Sequence, residues 1–181
     1  MAQAEQDLIR RVVDSHDRHA FGELVRQYQS QLRYSLRQLT GWDEALADDL
    51  AQETFIRAWK SIGQFRGDAK FFTWLYRIAY NCFAAHHRSR KPEETADDEF
   101  LEEHGGTSDH SIDLHRDFAI ALAQFPPQQR MVLHLHMQRE MTHEEIARLL
   151  DCPLGTVKSH IQRGREKLQE KLSAWRTGES V

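Results

Sequence analysis

The sequence predicts an all-α protein: two small helical domains on either side of a flexible acidic linker. Three observations predict it. Strand signals are missing, since no sustained apolar–polar alternation runs along the 181 residues and no Asn-Gly or Asp-Gly turn joins two apolar runs. Apolar residues recur instead at helical spacing, as in Phe21, Leu24, Val25, Tyr28, Leu32 and Leu36. Charge is also unevenly divided. Residues 1–91 carry 14 Lys and Arg against 11 Asp and Glu, residues 92–117 carry one Arg against 10 acids, and residues 118–181 carry 9 basic and 7 acidic residues. The nets are +3, −9 and +2, inside an overall charge of −4.

The bulk properties exclude several classes. The length suits one domain or two small ones. At 40% hydrophobic and 29% charged residues, the composition is that of a soluble globular chain. No apolar run approaches the roughly 20 residues that span a bilayer, so no membrane insertion is expected. The first residues, "MAQAEQDLIRRVVDS", are charged and lack a signal-peptide apolar stretch, which points to the cytoplasm. Cys82 and Cys152 lie far apart and form neither a disulfide framework nor a metal motif. They read as packed thiols in a reducing compartment.

The elements follow in order. A helix carries Phe21 to Leu36. After "TGWD" a further helix places Ala47, Leu50, Ala51, Thr54, Phe55, Ala58, Trp59 and Ile62 on one stripe. Its other side shows Asp48, Asp49, Gln52, Glu53 and Arg57. The loop "GQFRGDAK" leads into "FFTWLYRIAYN", five of whose eleven residues are aromatic. There Trp74, Arg77 and Asn81 share one helical face, and Phe72, Leu75, Ala79 and Cys82 form the opposing, core-like set. Phe71, Phe72 and Tyr76 read as core residues. Next comes "KPEETADDEFLEEHGGTSDHS", too polar and too charged to offset the entropy of ordering it. This places a boundary between domains at 1–91 and 112–181, with a linker at 92–111.

Three shorter helices are expected after the linker. Pro126 and Pro127 suit the start of the second. Thr142 with Glu145 makes a capping box for the third. "MTHEEIARLLDCPLGTVKSHIQRGREKL" then reads as helix, short turn, helix. Ile146, Ala147 and Leu150 form the inner face of the first helix, and Pro153 interrupts it. Val157, Ile161 and Leu168 anchor the second. Its remaining face shows Lys158, Ser159, Gln162, Arg163 and Arg165, residue types that read base edges and phosphates when a second helix enters the major groove.

Taken together, these stretches resemble the extracytoplasmic-function (ECF) sigma factors of the sigma-70 family. "DDLAQETFIRAWKSI" is similar to the family's core-polymerase-binding helix. "FRGDAKFFTWLYRIAYN" is similar to its promoter-melting and −10-reading stretch, and "DCPLGTVKSHIQRGREKL" to its −35-reading helix-turn-helix. The resemblance implies a sigma2-like domain, then the linker, then a sigma4-like domain. It implies core polymerase binding through Asp49, Gln52, Glu53 and Arg57. It implies capture of a flipped −10 base around Phe65, Lys70, Trp74 and Asn81, with Arg77 on the same face, and −35 duplex contacts by the helix-turn-helix. The implied partners are core RNA polymerase, promoter DNA (single-stranded at −10, duplex at −35) and an anti-sigma factor.

Melting gives the aromatic helix its physical sense. Opening a duplex costs stacking and pairing energy. A protein without an energy source offsets this by binding the single-stranded product, and base–aromatic stacking contributes roughly 1–3 kcal/mol per base. An amide such as that of Asn81 can read the Watson–Crick edge of an unstacked base.

The eleven histidines carry no zinc spacing; His134 and His136, two residues apart on a helix, cannot chelate together. No catalytic pair, phosphate loop or cofactor motif is visible, so neither enzyme activity, a cofactor nor a metal is expected. The alternative is a stand-alone helix-turn-helix regulator, which leaves the polar helix face and the aromatic helix without a use.

Overall fold

The structure is a computed structural model that describes residues 2–89 and 110–177, with side chains over 3–89 and 115–169. Residues 92–109 of the expected linker lie outside the described residues. Four α-helices precede that gap: α1 (Ala2–Ser15), α2 (Arg18–Leu39), α3 (Glu44–Ser61) and α4 (Phe71–Ser89). A short 3-10 turn, Ile62–Gln64, joins α3 to the loop before α4. Four follow: α5 (His110–Ala123), α6 (Pro127–Met137), α7 (His143–Leu150) and α8 (Leu154–Thr177). Among the described residues there is no strand.

Local chemistry sets the boundaries. Asp17 caps α2 by accepting from the amides of His19 (2.9 Å) and Ala20 (3.0 Å), and Arg11 donates to its other oxygen at 2.6 Å. The Ala20 amide and then Arg11 hold this carboxyl below its usual range. Asp43 caps α3 through the Leu46 amide at 2.9 Å. Between these helices the chain reverses through Gly41 and Trp42, at φ 70° and 71°, and the Thr40 amide closes on the Leu36 carbonyl at 2.8 Å.

The core of the first four helices is a set of stripes. α2 buries Ala20, Leu24, Tyr28, Leu32, Leu36 and Leu39 at three- and four-residue spacing. α3 buries Ala47, Leu50, Ala51, Thr54 and Ala58, all but Leu50 small residues that let its neighbours approach. α4 buries Phe71, Leu75, Tyr76, Ala79, Cys82 and Phe83. Each fully buried Leu or Phe contributes about 1.5–3 kcal/mol of transfer free energy. α1 is tied in by Tyr28, whose hydroxyl donates to Glu5 at 2.5 Å while its ring lies 5.4–5.6 Å from Phe72 and Phe71.

Beyond the gap, Pro127 opens α6 at a position where its missing amide costs nothing. Thr142 and Glu145 form the expected capping box at α7, with Thr142 N donating to Glu145 Oε2 at 2.8 Å and Glu145 N to Thr142 Oγ1 at 3.2 Å. α7 ends at Asp151 in the left-handed region, φ 51°. Pro153 then begins the next helix, its carbonyl accepting from Thr156 at 2.9 Å. α8 crosses α6 closely: a Cβ at Gly164 would lie 2.5 Å from Leu133.

One hydrophobic cluster continues from Val12 through α2, α3 and α4 into Met131, Val132, Leu135, Ile146 and Val157. A smaller one, Ala121, Leu122, Phe125, Leu133 and Leu168, lies within the later helices. The two helical groups read from the sequence are thus packed against each other, α5 and α6 on α2 and α6 and α7 on α4.

Candidate partner and nucleic-acid interfaces

The polar side of α3 divides into two parts. Asp49 and Gln52 line a groove of about 600 Å³ between α2 and α3, together with Gln29, Arg33, Phe55 and Ile56. Arg33 meets Asp48 at 3.3 Å on its wall. Glu53 and Arg57 are not among the groove-lining residues; they pair with each other at 2.5 Å. The sequence puts all four predicted residues on one exposed face; in the structure Asp49, Gln52 and Arg57 are exposed and Glu53 is half-buried.

Two other groove residues differ from expectation. Phe55 and Trp59 belong to the predicted apolar stripe, yet both are only half-buried and line the groove. Trp59 packs edge-on to His16 and tilted on Phe21. Ile56 is 42% exposed. Its signal was available in the sequence, as a β-branched apolar residue outside the stripe of α3.

The loop before α4 and the first turns of that helix bring Phe65, Lys70, Trp74 and Arg77 together along a second cleft, of about 840 Å³. Phe65 lies 5.4 Å from Trp74, and Phe71 lies 5.6 Å from both rings. Gly67, at φ 78°, turns the loop back so that Phe65 can reach them. The carbonyl of Lys70 accepts from Thr73 at 2.9 Å and Trp74 at 3.2 Å, which fixes the start of the helix. Asn81 is exposed two turns further on and is not among the cleft-lining residues.

The aromatic helix is less open than its composition suggests. Phe71 and Tyr76 are buried, in line with the core reading, and Phe72 is half-buried beneath Tyr28 and Arg139. Arg139 and Glu140 from the loop between α6 and α7, with Glu145 and Arg148 of α7, form the far wall of the cleft. Nothing in the local sequence marks these four as neighbours of Trp74.

On α8, Lys158, Gln162, Arg163 and Arg165 are exposed and Ser159 is half-buried. Val157, Ile161 and Leu168 are buried, as the spacing requires. Two of the exposed side chains are already oriented. Arg163 donates to the Ser159 hydroxyl at 2.6 Å and carbonyl at 3.3 Å, and Gln162 Nε2 donates to Glu166 at 3.2 Å. Around Gly155 nothing approaches within 4 Å of a Cβ position, so the helix start is open to a partner backbone.

The histidines are spread through other roles. His134 is buried against Tyr76, with its Nε2 2.7 Å from the phenol oxygen. His136 turns away toward His143, 5.1 Å between ring centres. Among the described residues no three His, Cys, Asp or Glu side chains gather as metal ligands, and no helix is long and apolar enough to cross a membrane.

Comparison with known proteins covers the same stretches. Residues 24–93 match Sigma-70 region 2 and residues 116–168 match Sigma-70 region 4. The RNA polymerase sigma-H factor of Pseudomonas aeruginosa is 35% identical over 187 aligned positions, covering 93% of each chain. The ECF RNA polymerase sigma-E factor of Escherichia coli K12 is 32% identical, over 93% of this chain and 94% of that one. Among solved structures, CnrH in complex with the cytosolic domain of CnrY superposes with a TM-score of 0.68 at 26% identity, covering 94% of this chain and 98% of that one. The Bartonella quintana sigma factor RpoE, bound to the anti-sigma factor NepR, gives 0.65 at 26% identity, over 84% of this chain and 96% of that one.

Proposed function

We propose, for a chain that belongs to the ECF group of the sigma-70 family, a division of labour among three surfaces. The chain is a sigma factor of transcription initiation. The groove between α2 and α3 takes core RNA polymerase: Asp49 and Gln52 supply polar contacts, Ile56 and Trp59 an apolar seat, and the Glu53–Arg57 pair borders it. The loop before α4 and its first turns capture the opened −10 strand. Phe65 and Trp74 offer ring surface, Lys70 and Arg77 meet phosphates, and Asn81 reads a base edge. The exposed face of α8 reads the −35 duplex through Lys158, Ser159, Gln162, Arg163 and Arg165.

The observation that supports this reading is positional. Apart from Phe21, the groove and the cleft-lining residues of α4 fall inside the stretch matched to region 2, and the exposed face of α8 falls inside that matched to region 4. The protein works as a dissociable specificity subunit without chemistry of its own, beside the polymerase in the cytoplasm. A separate anti-sigma protein holds it when it is not needed, as NepR accompanies the Bartonella protein. We keep the domains as read from the sequence, 1–91 and 112–181, although α5 begins at His110, inside the expected 92–111 linker.

Charge reversal at Asp49 and Glu53 tests the polymerase surface. Both sit on the outer side of α3, so stability should change by no more than about 0.5 kcal/mol. The double variant is expected to lose co-purification with core polymerase while keeping its helical signal. A variant that still competes for core enzyme would refute the assignment.

A further inference from the structure

The outward side of α8 is arranged as two pairs. Val157, Ile161 and Leu168 are buried, and a Cβ at Gly164 would meet Leu133, so these four positions mark the inward side. At about 100° per residue, Ser159 and Glu166 stand opposite them, along the middle of the outward side. Gln162 and Arg163 flank that midline, one on each side, and Lys158 and Arg165 lie nearer the edges. Each midline residue holds one of its flanking neighbours. Ser159 Oγ accepts from Arg163 at 2.6 Å, and Glu166 Oε1 accepts from Gln162 Nε2 at 3.2 Å.

Glu166 is out of place on a surface that meets DNA. Among the described side chains of α8 it is the one acid, beside Lys158, Arg163, Arg165 and Lys167. It is exposed, so its charge repels phosphates, and among the described residues it forms no ion pair that would cancel this. Direct base reading by Glu166 is a poor fit. At 1.5 Å per residue it lies about 18 Å along the helix from Leu154, against about 12 Å for Gln162. Recognition helices touch base edges with their N-terminal residues, in a major groove about 12 Å wide.

The effect on Gln162 follows from hydrogen-bond chemistry. A carboxylate only accepts, so the amide nitrogen, not the amide oxygen, faces Glu166. One N–H is used there. The other N–H and the amide oxygen remain side by side, a donor next to an acceptor. Adenine shows the complementary pair in the major groove, an acceptor at N7 and a donor at N6. Guanine shows two acceptors, N7 and O6, so its O6 would meet the amide oxygen. An amide free to turn would instead bring its two N–H groups to guanine.

We propose that Glu166 is a positioning residue for promoter choice: it holds the Gln162 amide in the orientation that takes adenine and refuses guanine. The inference rests on the −35 reading of α8 proposed above. It goes beyond that reading by naming a residue that sets the choice without touching a base.

Transcription with core polymerase from promoters randomised in the −35 element tests it, using the full chain with Gln162→Ala, Glu166→Ala or both. Both side chains are exposed, so the variants keep the fold. Gln162→Ala identifies the base position at issue. There Glu166→Ala should lower the preference for adenine over guanine about fivefold, the lower end of what one bidentate pair discriminates. The double variant should select as Gln162→Ala alone does, because Glu166 then has nothing to hold. Unchanged selection by Glu166→Ala, or an equal gain for all four bases through loss of charge alone, would overturn the proposal. A shift by Glu166→Ala that persists in the Gln162→Ala background would overturn it too, by showing that Glu166 reads a base itself. An unchanged preferred sequence in Gln162→Ala would refute the reading role of Gln162, and this inference with it.

Discussion

Replacing Arg130 by Met should be the most damaging single polar change in the described structure. Arg130 is 6% exposed and donates to three main-chain carbonyls: Leu39 at 2.7 Å, Phe125 at 3.1 and 3.3 Å, and Ala123. These carbonyls lie at or just past the ends of α2 and α5, where no further turn of helix remains to supply a donor. A hydrogen bond from a charged donor contributes about 1.5–3 kcal/mol net, so three acceptors amount to about 4.5–9 kcal/mol. Against this stands the burial of the charge. Burial pulls the guanidinium pKa from 12.5 down to about 10, and at about 1.4 kcal/mol per unit that costs about 3 kcal/mol. Met has a comparable length and no charge to desolvate, so the expected net loss is about 1.5–6 kcal/mol. Urea unfolding followed by far-UV circular dichroism measures it. Arg130→Lys should fall between, since an ammonium keeps the charge but not the planar fork. A loss below 0.5 kcal/mol for the Met variant would show that water replaces the guanidinium without penalty, and the reasoning would fail.

Three further outcomes are expected. Burial, with Arg139 nearby, holds His134 down to about 3, so the unfolded chain binds a proton that the folded one refuses. Stability is therefore full above pH 6.5 and falls as pH drops toward 3, by about 2 kcal/mol between pH 7 and pH 5, and a His134→Gln variant should lack that part of the slope. Gly164→Ala should cost about 1–2 kcal/mol despite the better helix propensity of Ala, because its Cβ meets the fully buried Leu133; a stabilised variant would show that Leu133 moves freely. On a randomised −35 library, Gln162→Ala or Arg163→Ala should relax preference at particular positions by about 1–3 kcal/mol, whereas Lys158→Ala should weaken all sites alike and lower the salt slope by about one; an unchanged preferred sequence in both of the first two variants would place the reading surface elsewhere.

The sequence by itself determined that the chain is helical and most of what its helices turn inward, because those determinants act within one or two turns. Asp17, Asp43, Thr142 with Glu145 and Pro153 begin helices through bonds to residues three or four positions away, and Pro127 suits a first turn that needs no amide from it. The stripe of Leu24, Tyr28, Leu32 and Leu36 repeats at the period of the helix itself. The helix-turn-helix, with its buried Val157, Ile161 and Leu168, is legible for the same reason. What the sequence left open depends on which helix lies against which. Phe55 and Trp59 have the chemistry of core residues, and they become groove walls because α2 covers only part of that side of α3. Asn81 shares a helical face with Trp74, but the cleft ends before reaching it. In "PPQQRMVLHLHM" nothing distinguishes Arg130 from a solvated charge or His134 from a surface imidazole. Their partners, Leu39 and Tyr76, stand 91 and 58 positions away, and only the tertiary packing supplies them. A buried charge or imidazole is stable there because distant backbone and phenol groups replace water, and no local pattern encodes that exchange.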